Sequence, residues 1–140
     1  MRISDPIEYL RGDWEFERKV HSGPDRGRAS GIASFRPEGE GLSWKEAGRL
    51  EFGQASTSAS REMSIERDGN GWIVRFGDGR PFHFLDLHAG HCEVEHLCRD
   101  DVYGGRIEAR DANTFFTSWR VAGPLKEQLI ETTYRRLTEP

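Results

Sequence analysis

The stretch RPFHFLDLHAGHCEVEHLC, residues 80–98, holds four of the five histidines and both cysteines of the chain. Its alternation of apolar and polar residues decides how the rest is read. If Ala89 and Gly90 form a two-residue turn, His88 faces His91, Leu87 faces Cys92, Leu85 faces Val94 and His83 faces His96. One face of the hairpin then carries Leu85, Leu87, His83, Cys92, Val94, His96 and Cys98, and the other carries Asp86, Glu93 and Glu95. The first face is the more apolar and is assigned to the interior; a register slip of one residue would exchange the two. Phe82, Phe84 and Leu97 then point outward on one hairpin, a candidate contact for a homodimer.

The same two-residue period runs outward in both directions. Strands are expected near 13–20, 29–37, 41–51, 57–67, 71–77, 80–88, 91–98, 103–110, 114–121 and 127–137. Turn-forming clusters such as SGPDRG, RPEGEG, RDGNG, GDG, RDAN and AGP separate them. One short helix precedes them: Asp5 caps it, Pro6 takes its first position, Glu8 completes a capping box and Gly12 ends it. The expectation is an all-β single domain over 1–140, an up-and-down antiparallel barrel of about ten strands with one N-terminal helix over one end. Closure removes the exposed edges of such a meander. The glycines of DVYGG, residues 101–105, suggest a bend or bulge in the barrel wall that returns Tyr103 to the interior.

Composition excludes several classes of partner. The net charge is −4 and basic residues are interspersed with acidic ones. No concentrated basic surface is foreseen for nucleic acid. The start MRISDPIEYL carries no apolar leader core, and no run of about 18 apolar residues marks a membrane helix. A soluble cytoplasmic protein is expected, and two cysteines fit that compartment.

Strand phase assigns an unusual interior. Trp14, Phe16, Arg18 and Val20 face in from the first strand, Leu42, Trp44, Glu46 and Leu50 from the third, and Ala59, Arg61, Met63 and Ile65 from the fourth. Trp72, Val74 and Phe76 share one face, as do Phe115, Thr117, Trp119 and Val121, and the last strand adds Ile130, Thr132, Tyr134 and Arg136. Unpaired buried charge is costly, so the inward Arg18, Glu46, Arg61, His83 and His96 must pair, meet water or face a ligand. Arg18 and Arg61 suit an anionic group, His83, His96 and Tyr134 neutral hydrogen bonds, and Trp14, Trp44 and Trp119 apolar walls. Internal salt bridges in a filled core are the competing account.

The same residues frame other chemistries. His83 or His96 beside Glu46 has the makings of a general base with an orienting carboxylate, for a small-molecule isomerase or hydrolase. No nucleophile elbow, phosphate loop or paired-carboxylate motif accompanies them, so no catalytic residue is assigned and enzymatic activity stays open. His83, His96 and Cys98, with Asp100 or Asp101, form a donor set of the zinc type, yet their spacing matches no common zinc signature and no metal site is assigned. An interior histidine also suits haem, and the sequence specifies no cofactor.

Two resemblances follow. GDW, residues 12–14, at the head of the first strand resembles the Gly-x-Trp signature of lipocalins and related calycin barrels, in which an arginine from the last strand packs over the tryptophan; Arg136 matches by alternation. The whole chain is also similar to a bacterial family known only as domain of unknown function 6314. The likeness rests on Trp14, WKEAG (44–48), Arg61, FGDGRPFH (76–83), HLCRDDVYGG (96–105), WRVAGPLK (119–126) and TYRR (133–136). That family prefers tyrosine at the positions of Trp44 and Met63. The resemblance implies a lipocalin-like barrel and no established activity. It draws Cys98, Asp101, Tyr103 and Trp119 into the set of expected ligand-binding residues, beside Arg18, Glu46, Arg61, His83, His96 and Tyr134.

Overall fold

The computed structural model describes residues 1–137, with the side chain of Cys98 outside what is described. A five-residue helix, α1 (Pro6–Leu10), is followed by ten strands: β1 (Gly12–Ser22), β2 (Asp25–Glu38), β3 (Gly41–Phe52), β4 (Ala55–Asp68), β5 (Gly71–Phe76), β6 (Pro81–Leu85), β7 (His91–Cys98), β8 (Asp101–Asp111), β9 (Thr114–Gly123) and β10 (Lys126–Arg136). All pairings are antiparallel, in one sheet ordered β6-β5-β4-β3-β2-β1-β10-β9-β8-β7. The first and last strands zip together in its middle, and the sheet curls into a nearly closed barrel. No helix among the described residues is long and apolar enough to cross a membrane.

The barrel leaves its seam between β6 and β7, which share no ladder. The hairpin expected over residues 80–98, with its cross-strand His83–His96 pair, is therefore not formed. Local chemistry explains the difference. Asp86 accepts a hydrogen bond from the His88 backbone N–H at 3.0 Å, which bends the chain out of the strand. Gly90 has a φ of 92°; its N–H closes a turn onto the Leu87 carbonyl at 2.8 Å and its own carbonyl accepts from the Ala109 N–H at 2.8 Å, so the turn docks on β8 instead of joining β6 to β7 in a ladder. His83 Nδ1 lies 2.8 Å from the Phe84 carbonyl oxygen, a backbone group a closed ladder would have used.

The helix end of the barrel is sealed. Asp5 Oδ1 accepts from the N–H groups of Ile7 (3.0 Å) and Glu8 (3.2 Å), capping α1 as its sequence requires. Tyr9 and Leu10 are buried, and Trp14 Nε1 donates to the Leu10 carbonyl at 2.8 Å. Arg136 lies opposite Trp14 in the β1–β10 ladder, with its guanidinium 4.2 Å from the indole centroid. It donates to the carbonyls of Tyr9 (2.6 Å) and Arg11 (3.1 Å), fastening the helix to the last strand. This is the arginine-over-tryptophan arrangement foreseen from GDW. Above it an aromatic stack fills the centre, with Phe115 and Tyr134 parallel at 4.2 Å and Trp14 edge-on to Phe115 at 4.7 Å.

The opposite end flares. Residues 55–62 of β4 are exposed on both faces, Ala59 among them, so the inward side of this wall borders solvent. The bulge expected at 101–105 is absent, since β8 runs in unbroken register there against both neighbours. Its glycine serves a close approach instead: a Cβ at Gly105 would stand 2.6 Å from the Trp119 ring, which lies flat against that backbone. Irregularities occur elsewhere, between Ala109 and Asp111 and between Val74 and Arg75.

Candidate functional site

At the flared end, four strands (β1, β3, β4 and β10) bring five polar side chains together. In the β3–β4 ladder Glu46 faces Arg61, and in the β1–β10 ladder Arg18 faces Thr132. Because alternate residues of each strand point inward, both pairs meet inside the barrel beside Trp44 and Tyr134. Glu46 Oε1 accepts from Arg18 Nη2 at 2.8 Å and from Arg61 Nε at 2.7 Å. Its Oε2 accepts from the Tyr134 hydroxyl at 2.6 Å and from Trp44 Nε1 at 2.9 Å. Arg18 Nε donates to Thr132 Oγ1 at 2.8 Å, and the Tyr134 oxygen accepts from Arg18 Nη2 at 3.0 Å and Arg61 Nη2 at 3.3 Å.

The charges set the titration of the cluster. Burial alone would raise Glu46, but the guanidiniums of Arg61 and Arg18 outweigh it, helped by the hydrogen bonds from Arg61 and Tyr134. Its pKa falls from 4.5 to about 2. Burial and the neighbouring Glu46 charge push the Tyr134 hydroxyl up to about 12, so it stays protonated and donates. Arg61 is held cationic, since Tyr134 and Glu46 overcome its desolvation. Two guanidiniums thus meet one carboxylate, leaving one positive charge in excess. Among the described residues, neither Arg18 Nη1 nor Arg61 Nη1 makes a hydrogen bond within the protein. The Arg18 side chain is 15% exposed and that of Arg61 41%, while Glu46 is 2% exposed. The carboxylate is sealed and the cationic edges reach toward the opening.

Beside this cluster stands an aromatic wall. Phe82 stacks on Phe76 at 4.4 Å and on Trp119 at 4.7 Å, with interplanar angles of 20° and 22°. His83 and His96 meet its ring edge-on at 4.8 and 5.5 Å. The two histidines therefore flank one ring from opposite sides of the seam, without a ladder between them. Phe82 was expected outside; it turns inward because Arg75 pairs with Pro81 while Val74 pairs with His83, so Phe82 is the extra residue of a bulge. Proline at the start of the strand, which lacks an N–H for the ladder, is the sequence signal that marks it. Phe84 and Leu97 do face outward and are exposed.

With Phe82 inside, the lumen is largely filled. The void bordered by Arg61, Trp44, Phe82, His83, Thr117 and Trp119 measures about 20 Å³, room for about one water molecule. The open cavity expected from the polar interior is thus mostly replaced by ion pairs and stacked rings, and a haem macrocycle does not fit it. His83 is buried and its pKa lowered, first by desolvation and also by His96, against the hydrogen bond to Phe84. Glu46 has Arg18, Arg61, Trp44 and Tyr134 as partners and no histidine, so a histidine–carboxylate dyad is not assembled.

The remaining expected residues lie around the opening. Tyr103 faces His96 across β7 and β8, ring centroids 5.8 Å apart. Asp101 lies at the rim, 3.8 Å from Lys126. The side chain of Cys98, part of both the ligand-binding and zinc-type sets, lies outside the described residues. Among the described residues no three His, Cys, Asp or Glu side chains gather closely enough to hold a metal ion. Phe76 had been assigned a face but no site role, and it emerges as one wall of the stack.

Comparison with known proteins places the fold in context. The S-type phycobiliprotein lyase from Guillardia theta superposes with a TM-score of 0.67 at 9% identity, covering 100% of this chain and 95% of its own. A protein of unknown function from the DUF3598 family, from Nostoc punctiforme, gives 0.55 at 11% identity, covering 98% of this chain and 50% of its own. A de novo designed fluorescence-activating β-barrel gives 0.51 at 14% identity, covering 96% and 100%. At such identities the likeness is one of fold. No curated protein matches the sequence. The profile of DUF6314, a family of unknown function, matches residues 10–136, and the chain belongs to that family.

Proposed function

We propose that the barrel binds a small anionic molecule at its flared end, with the acidic group received by Arg18 and Arg61. The observation that carries this reading is the charge imbalance of the cluster. One carboxylate balances one of two guanidiniums, and among the described residues each arginine keeps its Nη1 donors unengaged beside the opening. Guanidinium forks match the geometry of carboxylate and phosphate oxygens. Glu46 and Tyr134 hold both forks in fixed orientation before any ligand arrives, which lowers the ordering cost of binding. The fold gives general support, since barrels of this shape include a phycobiliprotein lyase and a designed fluorescence-activating protein.

Thermal-shift and calorimetric titrations with acetate, benzoate and inorganic phosphate test the reading. At least one anion is expected to stabilise the native chain, and Arg61→Gln is expected to weaken it about tenfold or more, as loss of a charge-assisted contact does. No stabilisation by any anion, or binding by both Arg61→Gln and Arg18→Gln as tight as by the native chain, would overturn it.

A further inference from the structure

The geometry points to a planar aromatic carboxylate as the ligand, its ring entering between Phe76 and Trp119 in the place that Phe82 now holds. This inference rests on the anion site proposed above and names what the rest of the ligand must be.

A ring held parallel between two other rings is the arrangement an aromatic ligand adopts in a stacking slot. Phe82 has that arrangement, with centroids 4.4 Å from Phe76 and 4.7 Å from Trp119. Together these spacings set the two walls about 9 Å apart, one ring plus a stacking contact on each side. The walls are held independently of Phe82. Phe76 is fixed by the turn that follows it, its N–H donating to the Arg80 carbonyl at 2.9 Å, and Trp119 lies against the bare backbone of Gly105.

Phe82 itself is the least constrained of the three. It lies in the bulge of a five-residue strand whose ladder among the described residues is with β5, and which borders the open seam, crossed there by the Cys92 Sγ contact to the Phe84 carbonyl at 3.9 Å. Swinging its ring outward, toward the side where Phe84 is already 64% exposed, breaks no ladder on the β7 side. The vacated slot adjoins the void that Arg61, His83 and Thr117 border. A substituent on a ring in the slot is thereby directed at the guanidinium, while His83 and His96 meet the ring edge as they now meet Phe82. An aliphatic acid gains the arginines without the stack, and an uncharged aromatic gains the stack without the arginines.

Phe82 therefore competes with the ligand, and removing it raises affinity by the reciprocal of the fraction of time the slot stands empty in the native chain. The experiment titrates 2-naphthoate, acetate and uncharged 2-naphthalenemethanol into the native full-length chain, Phe82→Ala and Phe82→Leu, read by calorimetry and tryptophan fluorescence. Phe82→Ala is expected to bind 2-naphthoate about tenfold tighter than the native chain, acetate with unchanged affinity, and the alcohol about tenfold more weakly than the acid. In the native chain the NMR ring signals of Phe82 are expected to shift as 2-naphthoate is added, a readout that stands if Phe82→Ala fails to fold. Binding of both acids with no gain in either Phe82 variant, or with unmoved Phe82 signals, removes the slot and leaves the anion site. Indifference of the native chain and the variants to both acids removes both.

Discussion

Replacing Glu46 with glutamine isolates the central interaction of the cluster. The substitution keeps the shape and one acceptor oxygen, but it removes the carboxylate that bridges Arg18 and Arg61 and points amide N–H groups at guanidinium donors. The fall of the Glu46 pKa from 4.5 to about 2 corresponds to about 3 kcal/mol, at about 1.4 kcal/mol per pH unit. Glu46 is 2% exposed, so solvent screening takes little from that figure, and it agrees with the roughly 3–5 kcal/mol lost when one partner of a buried ion pair is removed. Unfolding entropy of about 2 cal/mol/K per residue translates 3 kcal/mol into a fall in Tm of about 10 °C for a chain of this length. The sign of the pH dependence follows from the depressed pKa. The unfolded chain takes up the proton first, so the stabilisation is complete above pH 4.5 and is lost as pH falls toward 2. Urea unfolding followed by tryptophan fluorescence, at a series of pH values, should find Glu46→Gln about 3 kcal/mol less stable at pH 7 and the two proteins converging in that acid range. A difference below about 1 kcal/mol at pH 7, or one that does not change between pH 5 and the acid limit, would refute the assigned coupling.

Three further outcomes are expected. His83 titrates below its ordinary 6.5 in the folded chain, so the unfolded state binds its proton first and native stability should decline as pH drops through 6.5; His83→Gln should flatten that part of the profile, and an unchanged slope would count against a buried neutral imidazole. Arg136→Ala removes hydrogen bonds to the carbonyls of Tyr9 and Arg11 and the contact with Trp14, and should cost about 3 kcal/mol. Amide exchange in α1 should rise with it, and lysine should not restore protection, lacking the planar fork. Gly105→Ala sets a methyl 2.6 Å from the Trp119 ring and should cost about 1–3 kcal/mol with a shift in tryptophan emission; normal stability and emission would show that the ring moves freely.

What the sequence determined by itself was every element and most of the facing. Period-two alternation located all ten strands, Asp5 and Pro6 located the helix, and Gly12–Trp14 with Arg136 located its seam with the last strand. These are local properties: which face a side chain takes depends on its neighbours two positions away. The same rule turned Arg18, Glu46, Arg61, Thr132 and Tyr134 inward, although the β1–β10 pairing that sets Arg18 opposite Thr132 joins strands at the two ends of the meander. Only tertiary structure decided that one carboxylate takes both arginines, because the meeting depends on register across four ladders and on the curl of the sheet. It also decided where the barrel opens. Residues 80–98 have the pattern of a hairpin, but the Asx turn at Asp86, the anchoring of Gly90 on β8 and the bulge beginning at Pro81 together leave β6 and β7 unpaired. A bulge adds one residue, and one residue inverts a face, so Phe82 entered the lumen where alternation had set it outside.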